Sequence, residues 1–309
     1  MRILTTLCIV IALATAALAA DHGVLVRPAI VYISPDPTSA KLVTGERGRE
    51  VAVLDKTTGW LHVILALPVP DQEPRAITGW VVDKGVVTKA TPNGDQVIYG
   101  EAVESEDQAS SGGGRKGAAA DARRLYYRVF DYFPQSPLAG EALYRAADIQ
   151  WQLDKADVDS RKSHRSLDAS ERPQIEEENM KLVEKKFPHT KWADLAVYHR
   201  LENKLCGDWQ ALSKCPEKET EYFIKYADEH PDSPKAADAL YNAAYRFAAL
   251  IELYKTEGNA KKSPEAAQRA VTVAQRAIAK NPSTDLMARA QRLIYMVQND
   301  IPVYGNTLE

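Results

Sequence analysis

The chain has 309 residues, with 39 Lys and Arg against 42 Asp and Glu, six His and a net charge of −3. That length has room for two domains, and the mildly acidic balance, with no basic stripe to override it, removes nucleic acid as a partner. An apolar fraction of 45% is that of an ordinary globular chain.

Residues 1–20 read as a signal peptide. Met1-Arg2 gives a short basic start, residues 3–16 are almost continuously apolar, and Ala17-Leu18-Ala19 supplies a cleavage site. Polar Asp21-His22-Gly23 follows, without the basic residues of a stop-transfer segment. Cys8 lies inside the apolar run, away from the context a lipidated cysteine needs. The expectation is an exported protein, periplasmic or secreted, with no membrane span once the leader is removed. Cleavage after Ala19 places His22 third in the mature chain, where the amine, two backbone nitrogens and the imidazole can form a square-planar copper or nickel site. Cleavage after Ala20 abolishes it, and no metal or other cofactor is assigned.

Residues 21–95 carry short β-rich runs at 24–26, 29–33, 50–54, 60–65 and 79–82, separated by Gly and Pro clusters. That spacing predicts a small all-β barrel. Ile33-Ser34-Pro35-Asp36-Pro37-Thr38, Thr58-Gly59-Trp60-Leu61-His62-Val63 and Thr78-Gly79-Trp80-Val81 resemble the bacterial SH3 (SH3b) domain, in which two Gly-Trp dipeptides mark later strands. The chain departs from that family at Tyr32, Ser34 and Asp36, where an Asn-x-Arg-x-Gly pattern is common, and in a Pro-rich insertion at 67–74. The resemblance implies an SH3-like barrel with a ligand groove, for which Tyr32, Trp60 and Trp80 are the candidate residues. The competing reading has both Gly-Trp tryptophans packing the barrel.

Residues 96–117 combine Glu101, Glu104, Glu106 and Asp107 with Ser110-Ser111-Gly112-Gly113-Gly114 and read as a flexible linker.

Residues 118–309 read as an all-α repeat array. The phrase at 136–147, S-P-L-A-G-E-A-L-Y-R-A-A, recurs at 233–244 as S-P-K-A-A-D-A-L-Y-N-A-A. Four turns repeat with it: Phe133-Pro134, Phe187-Pro188, His230-Pro231 and Asn281-Pro282 each precede a Ser or Thr, at Ser136, Thr190, Ser233 and Thr284. Proline ends one helix and the hydroxyl is expected to cap the next. Small residues such as Ala139, Ala142, Ala196, Ala239 and Ala243 let helices approach closely. A repeat built from Ala and aromatic positions, rather than acids, bases or nucleophiles, is a packing unit and predicts a binding scaffold. These features resemble tetratricopeptide-like arrays of exported assembly factors, especially the outer-membrane-protein assembly component BamD and the cell-division coordinator family. The repeat is longer than the standard tetratricopeptide unit of about 34 residues, with the excess assigned to longer helices, the charged run 154–172 and a cysteine loop.

Beyond the leader the cysteines are Cys206 and Cys215, for which an exported compartment makes a disulfide the expected state and free thiols the alternative. Arg145, His199 and Asn242 follow the repeated tyrosine in equivalent register. They are the candidate partner-binding residues on a concave face; solvated helix positions are the other reading. No H-E-x-x-H, G-x-S-x-G or phosphate loop occurs, and acidic runs such as Glu176-Glu177-Glu178 read as solvated helix face. The expectation is therefore a multidomain, non-enzymatic adaptor for cell-envelope assembly or maintenance. Its SH3-like domain would bind peptidoglycan or a protein segment, and its array an envelope protein. The alternative is an accessory subunit or regulator of a cell-wall hydrolase.

Overall fold

The computed structural model describes residues 21–111, 113–166, 168–280 and 282–304. The expected leader at 1–20 lies outside the described residues. The chain divides into two compact units, Met1–Val97 and Ile98–Glu309.

The first unit contains, among the described residues, seven strands: β1 (Asp21–Leu25), β2 (Ala29–Tyr32), β3 (Lys41–Gly45), β4 (Glu50–Thr57), β5 (Trp60–Val69), β6 (Gln72–Val82) and β7 (Val86–Thr88). They form one antiparallel sheet in the order β3-β2-β6-β5-β4-β1-β7, curled into a half-barrel. Period-two alternation sends Leu61, Val63 and Leu65 of β5 to the same side as Val31, Val51 and Val81, and these side chains, with Leu25, make the core. The Pro-rich insertion is the tip of a long β5–β6 hairpin, turning at Pro70-Asp71 with Asp71 in the left-handed region (φ 56°). Gly79 is fixed by close approach: a Cβ there would lie 2.5 Å from the Tyr32 carbonyl oxygen and 2.7 Å from Val31 Cγ1. Only glycine lets β2 come this near to β6.

The second unit is helical, and nine α-helices are described, the first of which begins in the last four residues of the first unit: α1 (Gly94–Ser110), α2 (Ala118–Tyr132), α3 (Ala139–Ser160), α4 (Glu178–Lys186), α5 (Lys191–Arg200), α6 (Lys214–Glu229), α7 (Ala236–Thr256), α8 (Ser263–Ala279) and α9 (Thr284–Gln298). The expected linker at 96–117 is corrected over its first part, where residues 96–110 belong to α1, a 17-residue helix. Its Ile98, Ala102 and Ser105 are buried, and Glu106 is bound by groups on α2 and α3. Glu106, read as part of a flexible linker, instead supplies this bond.

The proline turns sit where α2 meets α3, α4 meets α5, α6 meets α7 and α8 meets α9. Three share one geometry at the helix end: Phe133, Phe187 and His230 have φ near −128°, −129° and −125°, and each N–H donates four residues back. The turns at 136 and 233 match bond for bond. Leu138 and Lys235 N–H each donate to the preceding Ser hydroxyl at 3.1 Å, and Ala142 and Ala239 N–H donate to the Leu138 and Lys235 carbonyls at 2.9 Å. The capping expectation holds at Thr190, whose hydroxyl accepts from Ala193 N–H. It is corrected elsewhere. Ser136 and Ser233 bridge the turn three residues before the first helical residue, and Ser283, not Thr284, caps α9. The repeated alanines are buried throughout, so consecutive helices close on small side chains.

Candidate functional site

In the first unit the register assembles an aromatic row. Tyr32 stands opposite Trp80, and Trp80 opposite His62, two residues beyond Trp60 on the same strand face. The His62 and Trp80 rings stack at 4.7 Å, 16° apart in plane, and Tyr32 meets Trp60 edge-on at 5.5 Å. These residues lie on the face opposite Leu61, Val63 and Val81, so the tryptophans are not part of the core. Tyr32 is nearly covered, while Trp60, His62 and Trp80 are half-buried. The same cross-strand line ends in Lys41 on β3 and Asp55 on β4, one charge of each sign beside an aromatic platform. Such a surface receives a ligand with flat or apolar groups and polar ends at little entropic cost. His62 was missed in the sequence, although its period-two spacing from Trp60 was the available signal.

His22, the conditional metal position, has its Nδ1 on Glu50 Oε1 at 2.8 Å, and the backbone of Asp21 and His22 belongs to the β1–β4 ladder. Among the described residues no group of three or more His, Cys, Asp or Glu is arranged to hold a metal ion. No described helix is long and apolar enough to cross a membrane.

In the second unit the three repeat candidates prove to be rungs of a ladder. Asn242 Nδ2 donates to the hydroxyl of Tyr198 at 3.4 Å, and His199 Nε2 shares a 3.1 Å hydrogen bond with the hydroxyl of Tyr144. The Arg145 guanidinium lies 5.8 Å from the centre of the Tyr99 ring. The degenerate last copy supplies Arg289, 5.3 Å over Tyr241. Each rung joins a tyrosine of α1, α3, α5 or α7 to a polar residue of α3, α5, α7 or α9. Burial pushes the Tyr99 and Tyr198 hydroxyls up to about 12, so both stay neutral donors or acceptors.

Arg145 is held further, donating to Glu106 Oε2 and the Tyr126 hydroxyl, both at 2.9 Å, with Glu141 at 3.1 Å. It fastens α1 and α2 to α3 and is not a free contact residue. His199 and Asn242, by contrast, share a cavity of about 370 Å³ floored by Leu201, Leu205 and Phe223 and bordered by Lys155, Lys235 and Arg246. Sequence equivalence found two of its residues and missed the cations, which sit at unrelated positions of the repeat.

Burial lowers the pKa of His199 against the opposing pull of Asp148, 3.3 Å away. The unfolded chain then binds a proton near pH 6.5 that the folded chain refuses. Stability of this unit is therefore expected to be flat above that pH and to fall as pH drops through the lower, folded value. Denaturant midpoints of wild type and His199→Gln across pH 5–8 check this. An undiminished acid slope in the variant would assign the effect to other groups.

Cys206 and Cys215 form a disulfide, with Cα atoms 6.1 Å apart. The loop it closes brings Cys206 N–H (2.8 Å) and Trp209 Nε1 (3.4 Å) to Glu219 Oε1, while Arg246 Nε donates to Glu219 Oε2 at 2.6 Å. Glu219 is 1% exposed, so its charge is satisfied entirely by these donors. Arg246 Nη1 in turn reaches the Asn242 carbonyl and Oδ1, both at 3.2 Å, which links the loop to the cavity.

No protein-family model matches the chain, and no curated protein matches it.

Proposed function

We propose that the protein is a non-enzymatic adaptor of the cell envelope, exported to the periplasm or beyond. In this reading the first unit is an SH3-like domain that takes peptidoglycan or an extended protein segment on its aromatic row. The helical unit is a tetratricopeptide-like array that holds a protein partner. The observation that carries the reading is the placement of Trp60, His62 and Trp80 together on the sheet face opposite the core, only partly buried. The leader pattern at 1–20 and the disulfide support export. Polar residues of the cavity in the helical unit that holds His199 and Asn242 are engaged in structural bonds, such as Arg246 with Glu219 and His199 with Tyr144, which suits a contact surface better than acid–base chemistry.

Co-sedimentation of the full chain with purified wall sacculi tests this, alongside Trp60→Ala and Trp80→Ala. Aromatic anchors at interface centres cost at least about 2 kcal/mol on truncation, so each variant should bind at least roughly tenfold more weakly with an unchanged far-UV spectrum. Sedimentation that the variants leave unaltered would overturn the aromatic row as the site. No sedimentation of the wild type would remove peptidoglycan as the ligand.

A further inference from the structure

A second cavity, about 300 Å³, is lined by both cysteines and by Lys204, Lys214 and Lys218. Among the described residues none of these lysines is within ion-pair distance of a carboxylate, though the charges of Lys214 and Lys218 act on Asp168; Lys204 lies 6.0 Å from the centre of the Tyr222 ring. Of the carboxylates lining the same cavity, Glu219 is neutralised by Arg246, while Glu171 accepts from Ser166 and Asp168 from Ser170. The Ser170 bonds hold the pKa of Asp168 down, and Lys214 and Lys218 lie close enough for their charges to help, which leaves three cations against two carboxylates. The two sulfurs differ in setting. Cys206 belongs to the loop and is partly exposed, whereas Cys215 is 4% exposed and is the second residue of α6, between Lys214 and Lys218. A thiolate in the first turn of a helix, beside two ammonium groups, is the better leaving group of the pair. The closed loop also holds two consecutive residues in the left-handed region, Gln210 (φ 51°) and Ala211 (φ 58°). Neither is glycine, so both hold a conformation that L side chains rarely adopt.

We propose that Cys206–Cys215 is an exchangeable redox site that favours thiols carrying a negative charge. An incoming thiolate attacks Cys206 Sγ, forming a mixed disulfide and breaking the Cys206–Cys215 bond. The electron pair departs on Cys215 Sγ, stabilised by Lys214, Lys218 and the first turn of α6. A second thiolate attacks the mixed disulfide at the incoming sulfur and expels Cys206 as a thiolate. Both protein thiolates then take protons from water, so the disulfide gains two electrons and two protons while two external thiols become one disulfide. The consequence reaches the array. Cys206 N–H and Trp209 Nε1 are donors to Glu219, and Glu219 orients Arg246 against Asn242.

The test uses the intact protein in native buffer with three small thiols, anionic 3-mercaptopropionate, neutral 2-mercaptoethanol and cationic cysteamine, with rates corrected to thiolate concentration. At low salt the anionic thiol should react on the order of fivefold faster than the neutral one, and the cationic one slowest. The order should collapse near 1 M salt, where the Debye length is about 3 Å, and in Lys214→Gln/Lys218→Gln. Alkylation and mass spectrometry should find the mixed disulfide on Cys206 and the alkyl group on Cys215. Equal corrected rates at low salt, a mixed disulfide on Cys215, or reduction only in denaturant would each overturn the proposal. Should the double variant fail to fold, the salt dependence of the wild type decides alone.

Discussion

Glu219→Ala is expected to destabilise the helical unit by about 3–5 kcal/mol, the cost of leaving one charge of a buried pair without its partner. The arithmetic rests on burial: Glu219 is 1% exposed and the Arg246 side chain 11%, so solvent screens little of the loss. Removing the carboxylate also strands Cys206 N–H and Trp209 Nε1, each an additional unmet donor. For a unit of this size the melting temperature should fall by about 10 °C. Replacing both partners with apolar residues, as Glu219→Leu/Arg246→Met, should recover the share due to the unpaired Arg246 charge, because an apolar pair escapes the desolvation cost, while Cys206 N–H and Trp209 Nε1 stay unmet in both variants. Urea unfolding of the three proteins measures this. A single-variant loss below about 1 kcal/mol would show that the pair is solvated in solution.

Trp151→Ala should be comparably damaging for a different reason. Trp151 is 1% exposed in the core formed by α3, α4 and α5, against Leu143, Ala147, Met180, Val183 and Ala196. Truncating a buried tryptophan costs about 3–5 kcal/mol, from lost transfer energy and from the cavity left behind. Its Nε1 also donates to Glu202 at 3.3 Å, and its ring lies 5.8 Å from His199, so the wall of the larger cavity loses its backing. Trp151→Phe should restore most of the stability, since the cavity rather than the hydrogen bond dominates. The loss should be insensitive to salt, unlike a loss of charge pairing. Equal destabilisation by Phe and Ala in urea titrations would instead make the Glu202 bond the main contribution.

The parts of this fold that were legible in the sequence are those governed by local rules. Proline cannot continue a helix, so the turns after Phe133, Phe187 and His230 announced themselves and fold alike. The disulfide followed from the two cysteines left beyond a leader pattern that implies export. Helix α1 was hidden because its buried face is small, Ile98, Ala102 and Ser105, and because Tyr99 and Glu106 hold it through polar bonds to distant residues. Hydrophobic periodicity carries no trace of such bonds. The aromatic row was half legible. Alternation along β5 showed two faces, but Trp60-His62-Ile64 and Leu61-Val63-Leu65 are both largely apolar, and only the neighbouring strands decide which is covered. Likewise the equivalence of Arg145, His199 and Asn242 was plain, while the tyrosines they bind lie a whole repeat away in the chain.

The tyrosine ladder has a consequence for how such a molecule can change length. The first rung ties α1 to the first helix pair, Tyr99 to Arg145, and each later rung ties one pair to its immediate successor, Tyr144 to His199, Tyr198 to Asn242 and Tyr241 to Arg289, so none of these reaches past a neighbour. The proline turns lie inside the pairs, between the two helices of each. A segment cut at two successive proline turns therefore carries away one tyrosine and one acceptor together and leaves a tyrosine facing an acceptor at the join. Nearest-neighbour coupling of this kind makes stability a sum over joints. It turns each proline turn into a seam along which the gene could have been duplicated or trimmed without redesigning what remained.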